Sequence, residues 1–99
     1  MATDTELDIH NDIQIQYPPK YKVYLHNDDY TSMDFVIDIL ISIFHKTFEE
    51  AESIMLKVHK NERGLCGVYT HEIAETKVTQ VIKKARDNGF PLKATMEEE

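Results

Sequence analysis

Residues His26 to Asp38, HNDDYTSMDFVID, set one amide and two carboxylates, Asn27, Asp28 and Asp29, between an apolar run and an apolar helical pattern. Asn and Asp bond their own backbone at turns, so a strand-to-helix turn accounts for the cluster without a ligand. The run lacks the alternating spacing and the glycine of a calcium loop. The five histidines (10, 26, 45, 59 and 71) and the single Cys66 form no CxxC, HExxH or close Cys/His pair, so no metal site is expected. No GxSxG and no glycine-rich phosphate loop occurs, and three glycines are too few for a backbone cradle. Cys66 lies in an apolar strand pattern without an adjacent base, the setting of a buried structural thiol. The chain is therefore read as a binding protein and not an enzyme, with no cofactor.

His59 stands at the border of an apolar helical face, after Met55 and Val58. One reading is a core or boundary histidine satisfied by a single hydrogen bond. Another is a polar rim member that, with the Asn27 turn, borders an apolar cavity between two helices. Met33 and Met55 would ordinarily be core residues.

These side chains need elements to hold them. Lys20 to His26 (KYKVYLH) is β-branched and aromatic, a strand pattern. Thr31 with Asp34 offers a weak capping box for a helix with two apolar stripes. Met33, Val36, Ile37, Leu40, Ile41 and Phe44 form one, and Phe35, Ile39 and Ile43 the other. Thr47-Phe48-Glu49-Glu50 is a cleaner capping box, opening a helix with Phe48, Ala51, Met55, Val58 and His59 along one face. Gly64 to Tyr69 reads as a central strand. Thr70 can cap a third helix with core stripe Ala74, Val78, Val81 and Ala85, stopped by Asn88-Gly89. Pro91 to Met96 completes the pattern as a short strand. The order β-α-α-β-α-β predicts an α+β fold with helices on one face of a small sheet.

Ninety-nine residues with 41% hydrophobic and 29% charged content fit one small domain. The net charge of −7 resides in the termini. Asp4, Glu6, Asp8 and Asp12 precede Lys20 with no basic residue among them, and Glu97 to Glu99 end the chain. The body between is neutral, without the basic footprint of a nucleic-acid or anionic-membrane binder. Expected divisions are an acidic extension over 1–19, a core over 20–96 and an acidic tail over 97–99. Ile13 and Ile15 alternate with glutamines as a weak strand would, but the polar composition of the first 16 residues favours a mobile arm. No apolar run approaches the roughly 20 residues of a membrane span, no secretion signal opens the chain, and one cysteine hints at a reducing compartment. A cytoplasmic monomer is the expectation.

NDDYTSMDFVIDIL and MLKVHKNERGLCGVYTHEIAETKV closely resemble ClpS, the bacterial adaptor family for N-degron substrates, over Lys20 to Met96. The resemblance implies a three-stranded antiparallel sheet with three helices. It implies binding of a free N-terminus whose first residue is Leu, Phe, Tyr or Trp, and delivery to the AAA+ unfoldase ClpA, which feeds the ClpP peptidase. Asn27, Asp28 and His59 would hold the α-amino group. Leu25, Thr31, Met33, Val36, Met55 and Val58 would line the side-chain pocket, with Met33 resisting β-branched residues. Tyr69, Thr70, Glu72 and Lys77 match the unfoldase-facing positions, although capping and surface charge would also explain them. The acidic extension corresponds in position to one that engages the unfoldase. Three departures bear on the site: Ser32 where many relatives have proline, Glu62 where glycine is common, and His26 in place of an apolar residue. If position 62 needs a positive φ, Glu62 strains it. Asp29 is read as a structural member of the turn. The competing reading is a scaffold that docks on an unfoldase without recognising substrate.

Overall fold

Alternation along Lys20–His26 (β1) sends Val23 and Leu25 to one side, both fully buried, and Lys22, Tyr24 and His26 to the other. The structure, a computed structural model, describes residues 17–99, so the first 16 residues of the acidic extension lie outside it. The elements that follow β1 are Met33–Ser42 (α1), Phe48–Asn61 (α2), Arg63–Thr70 (β2), His71–Asp87 (α3) and Lys93–Glu98 (β3). The sheet is antiparallel with order β2-β1-β3. Both the α+β class and the three-stranded antiparallel sheet match expectation.

The inner face of the sheet meets Val36, Ile39 and Leu40 of α1, Ala51, Met55 and Val58 of α2, and Ala74, Val81 and Ala85 of α3 in one core. Of the two stripes on α1, the set Phe35, Ile39 and Ile43 is buried throughout. The other is buried only at Val36, Leu40 and Phe44, while Met33 and Ile41 are exposed. Phe48, expected on the core face of α2, occupies the first helical position and is 56% exposed.

Local chemistry sets the helix ends. Ser32, not Thr31, caps α1, its Oγ accepting from the Phe35 N–H at 3.1 Å. Thr47 and Glu50 form the expected reciprocal box on α2, at 3.1 and 2.9 Å. Thr70 sits at the N-cap of α3 but makes no side-chain capping bond. Gly89, at φ 80°, lets the chain leave α3 through the left-handed region.

β3 starts two residues later than expected and runs to Glu98. Glu97 and Glu98, set apart by charge as a tail, pair with Lys22 and Tyr21, and the Glu99 N–H donates to the Lys20 carbonyl at 2.8 Å. Strand pairing decides this boundary, and Glu97 also meets Arg63 at 2.6 Å.

Candidate functional site: the end of β1 against two helices

The polar cluster begins where β1 stops. The Asn27 N–H donates to the Glu62 carbonyl at 2.8 Å, tying the strand end to the C-cap of α2. Glu62 holds that carbonyl with a left-handed backbone, φ 72° and ψ −21°. The strain expected of a non-glycine residue there is therefore present, of order 1–2 kcal/mol.

Asp28 organises the turn. Its Oδ1 accepts from the Tyr30 and Thr31 N–H groups at 2.8 and 2.7 Å, and its Oδ2 accepts from the Thr31 hydroxyl at 2.7 Å. Partial burial works to raise its pKa, but the bonds from Thr31 and Tyr30 together outweigh it and hold the carboxyl below its ordinary value. The group is thus a fixed carboxylate. Recruiting the Thr31 hydroxyl also explains why capping of α1 passes to Ser32. The turn role assigned to Asp29 belongs to Asp28, and Asp29 is exposed.

The apolar residues named from sequence divide by exposure. Leu25, Val36, Met55 and Val58 lie in one buried cluster, supplied by β1, α1 and α2, and Leu25 has no accessible surface. Thr31 is half-buried, and Met33, in the first turn of α1, is 47% exposed. Tyr30 beside them is 78% exposed, a large ring that sequence reasoning passed over. His59 is exposed on α2, one residue beyond buried Val58 and three before Glu62. It is not a core histidine. The Asn27–Glu62 bond thus joins the strand end carrying Asn27 and Asp28 to the helix end carrying His59.

His26 points to the opposite, helix-free face of the sheet, where its Nε2 lies 2.6 Å from Thr95 Oγ1. Burial first, then the charges of Lys93 and Arg63, lower its pKa, which disfavours the charged ring. Cys66 is buried at a bulge of β2, and burial pushes its thiol up to about 12, which leaves it unreactive.

The four residues matched to an unfoldase-facing surface also divide. Tyr69 is half-buried 6.4 Å from the Phe44 ring, and burial raises its phenol. Its ring crosses Gly67, where a Cβ would lie within 2.6 Å of the Tyr69 ring carbon Cζ. Lys77 donates from Nζ to the Ile43 carbonyl at 2.6 Å, closing the end of α1. Thr70 and Glu72 are exposed at the start of α3. Among the described residues, no three His, Cys, Asp or Glu side chains are placed to hold a metal, and no helix is long and apolar enough to cross a membrane.

The sequence pattern of the ClpS family, described as ATP-dependent Clp protease adaptor protein ClpS, matches residues 16–95. The ClpS of Wolinella succinogenes is 52% identical over 97 residues, covering 98% of this chain and 95% of that protein. The ClpS of Desulforapulum autotrophicum is 60% identical over 83 residues, 84% and 80% of the respective chains. The chain belongs to the ClpS family. ClpS proteins are adaptors of the ATP-dependent Clp protease, so the family works by binding and not by catalysis. Agrobacterium tumefaciens ClpS2, solved bound to L-phenylalaninamide, superposes with a TM-score of 0.82 at 35% identity. The match covers 84% of this chain and all of that one.

Proposed function

We propose that this ClpS binds the free α-amino group and bulky hydrophobic first residue of N-degron proteins and delivers them to the ClpA-type AAA+ unfoldase of the Clp protease. The observation that carries the reading is a fixed carboxylate at Asp28 in the turn that leads into α1, the helix that bears exposed Met33 in its first turn and supplies Val36 to one buried cluster with Leu25, Met55 and Val58. The ligand of the Agrobacterium tumefaciens relative supports it. Phenylalaninamide has a free amine and an aromatic side chain, and its amide stands in for the first peptide bond of a substrate.

An α-ammonium presents donors and a positive charge, and needs acceptors around it. Asp28 supplies the charge, the Asn27 side-chain carbonyl a second acceptor, and a neutral His59 imidazole a third. Charge-assisted bonds contribute about 1.5–3 kcal/mol each. Burying the first side chain between Met33, Thr31 and Val36 of one wall and Met55 and Val58 of the other, over Leu25, adds about 1.5–3 kcal/mol. After association costs, affinity near the micromolar range follows. Neither half suffices alone, which makes the site selective for a chain end.

Fluorescence anisotropy with three peptides tests the reading. A Phe-initiated peptide should bind, while its acetylated form and an Ile-initiated form should bind at least about tenfold more weakly, the loss of roughly one charge-assisted bond or of pocket fit. Equal binding of free and acetylated peptides would sink the amine site. Binding of none of the three peptides, with unfoldase binding that survives Asp28→Ala and His59→Ala, would favour the alternative, an unfoldase-docking scaffold that uses Thr70 and Glu72 without reading substrate.

A further inference from the structure

Glu62 joins the two halves of the candidate amine site, yet it does so without its side chain, which is exposed. Its left-handed φ of 72° ends α2 and presents its carbonyl to the Asn27 N–H at 2.8 Å. The next residue, Arg63, already pairs with His26 in the sheet, so one residue carries the whole change from helix to strand. Asn27 lies one residue beyond that pair, and His59 one helical turn before the cap. We infer that residue 62 is a positioning residue: its left-handed backbone is a latch that fixes Asn27 and Asp28 relative to His59.

This inference rests on the amine-binding reading, and deepens it. A backbone latch explains why glutamate is tolerated there despite its strain. The position demands a conformation, not a functional group, and glycine would satisfy it with less strain. A β-branched residue would not, because it is an outlier at positive φ. Without the latch, the turn carrying Asp28 stays folded by its own bonds to Tyr30 and Thr31, but its place relative to α2 is no longer set. The loss is then one of geometry between two intact halves.

The test compares Glu62→Val with Glu62→Gly in the full chain, at a temperature where circular dichroism shows both folded. Amide hydrogen exchange at Asn27 reads the latch without any peptide. Val should speed that exchange at least about tenfold, and Gly should leave it near wild type. Anisotropy with the free Phe-initiated peptide reads the positioning role. Val should weaken binding about tenfold, the equivalent of one charge-assisted hydrogen bond, and Gly should restore it. If Val fails to fold, Glu62→Thr, also β-branched but polar at this exposed position, carries the same comparison. Unchanged Asn27 exchange in the folded Val variant overturns the latch. Faster exchange with unchanged affinity overturns the positioning role. A wild-type protein that binds free and acetylated peptides alike defeats the amine reading instead, and leaves the exchange result standing as a separate fact.

Discussion

Asp28 combines two tasks that one substitution can separate. Its carboxylate closes a turn through three hydrogen bonds, and its charge is the proposed counter-ion for a substrate ammonium. Asp28→Asn keeps an acceptor oxygen for the Tyr30 and Thr31 N–H groups but removes the charge. We expect peptide affinity to fall about 10- to 100-fold, while stability drops by no more than about 1 kcal/mol, the scale of a weakened cap. The pH dependence follows from the lowered pKa. The carboxylate's share of stability is complete above the ordinary aspartate value of 3.8 and is lost as pH falls through the lower folded value. Denaturant titrations from pH 5 downward should show a shallower loss in the Asn variant; parallel curves would mean that Asp28 does not contribute. The sequence identified the turn and its place between strand and helix, since Asn and Asp announce one. It could not choose between Thr31 and Ser32 as the cap. That choice depends on Asp28 capturing the Thr31 hydroxyl, a contact no propensity encodes.

At the scale of elements, the candidate site depends on how closely α2 approaches β2. Gly64 is buried there, and a Cβ on it would meet Val58 Cγ2 at 2.8 Å and the Ile54 carbonyl oxygen at 3.2 Å. The carbonyl belongs to the helix backbone and cannot turn aside. Gly64→Ala must therefore shift α2, which carries Met55, Val58 and His59. We expect a cost of about 1–3 kcal/mol, seen as a Tm lowered by at least about 4 °C, together with weaker binding of the free Phe peptide. A Tm within about 1 °C of wild type would show that the helix accommodates the methyl group. Helix and strand identities were legible because apolar periods of 3.6 and 2 are strong signals. Exposure along a single face was less so: Phe48 and Ile41 fit their stripes by spacing and yet are exposed, because neighbouring elements do not extend to cover them. Lys77 is a third instance. A surface lysine in the sequence, it reaches across to cap the last turn of α1.

For the whole molecule, the acidic C-terminus is part of the sheet rather than an appendage. Deleting Glu97 to Glu99 removes like charges from a chain of net −7, which on electrostatic grounds alone favours the folded state. It also removes the pairing of Glu97 and Glu98 with Lys22 and Tyr21, the Glu99–Lys20 bond and the Arg63 ion pair. We expect the backbone loss to dominate, since exposed ion pairs contribute little and three-residue edge pairing contributes several hydrogen bonds. Thermal melting should show a Tm lower by about 4 °C or more, whereas Glu97→Gln with Glu98→Gln, which keeps the strand, should change it little. A deletion with unaltered Tm would return these residues to the status of a tail. Charge composition pointed to a tail because it says nothing of backbone partners, and β1 had a vacant edge to offer.

That edge has a consequence in time. The middle strand of the sheet is the first to be synthesised, and both of its neighbours come later, one of them finishing at residue 98. A growing or prematurely ended chain therefore carries Val23 and Leu25 on a strand with two open sides, the kind of surface that recruits other unfinished chains. Completion of the sheet waits for β3, the last element of the fold, so a chain that stops short of it leaves one side of β1 unpaired.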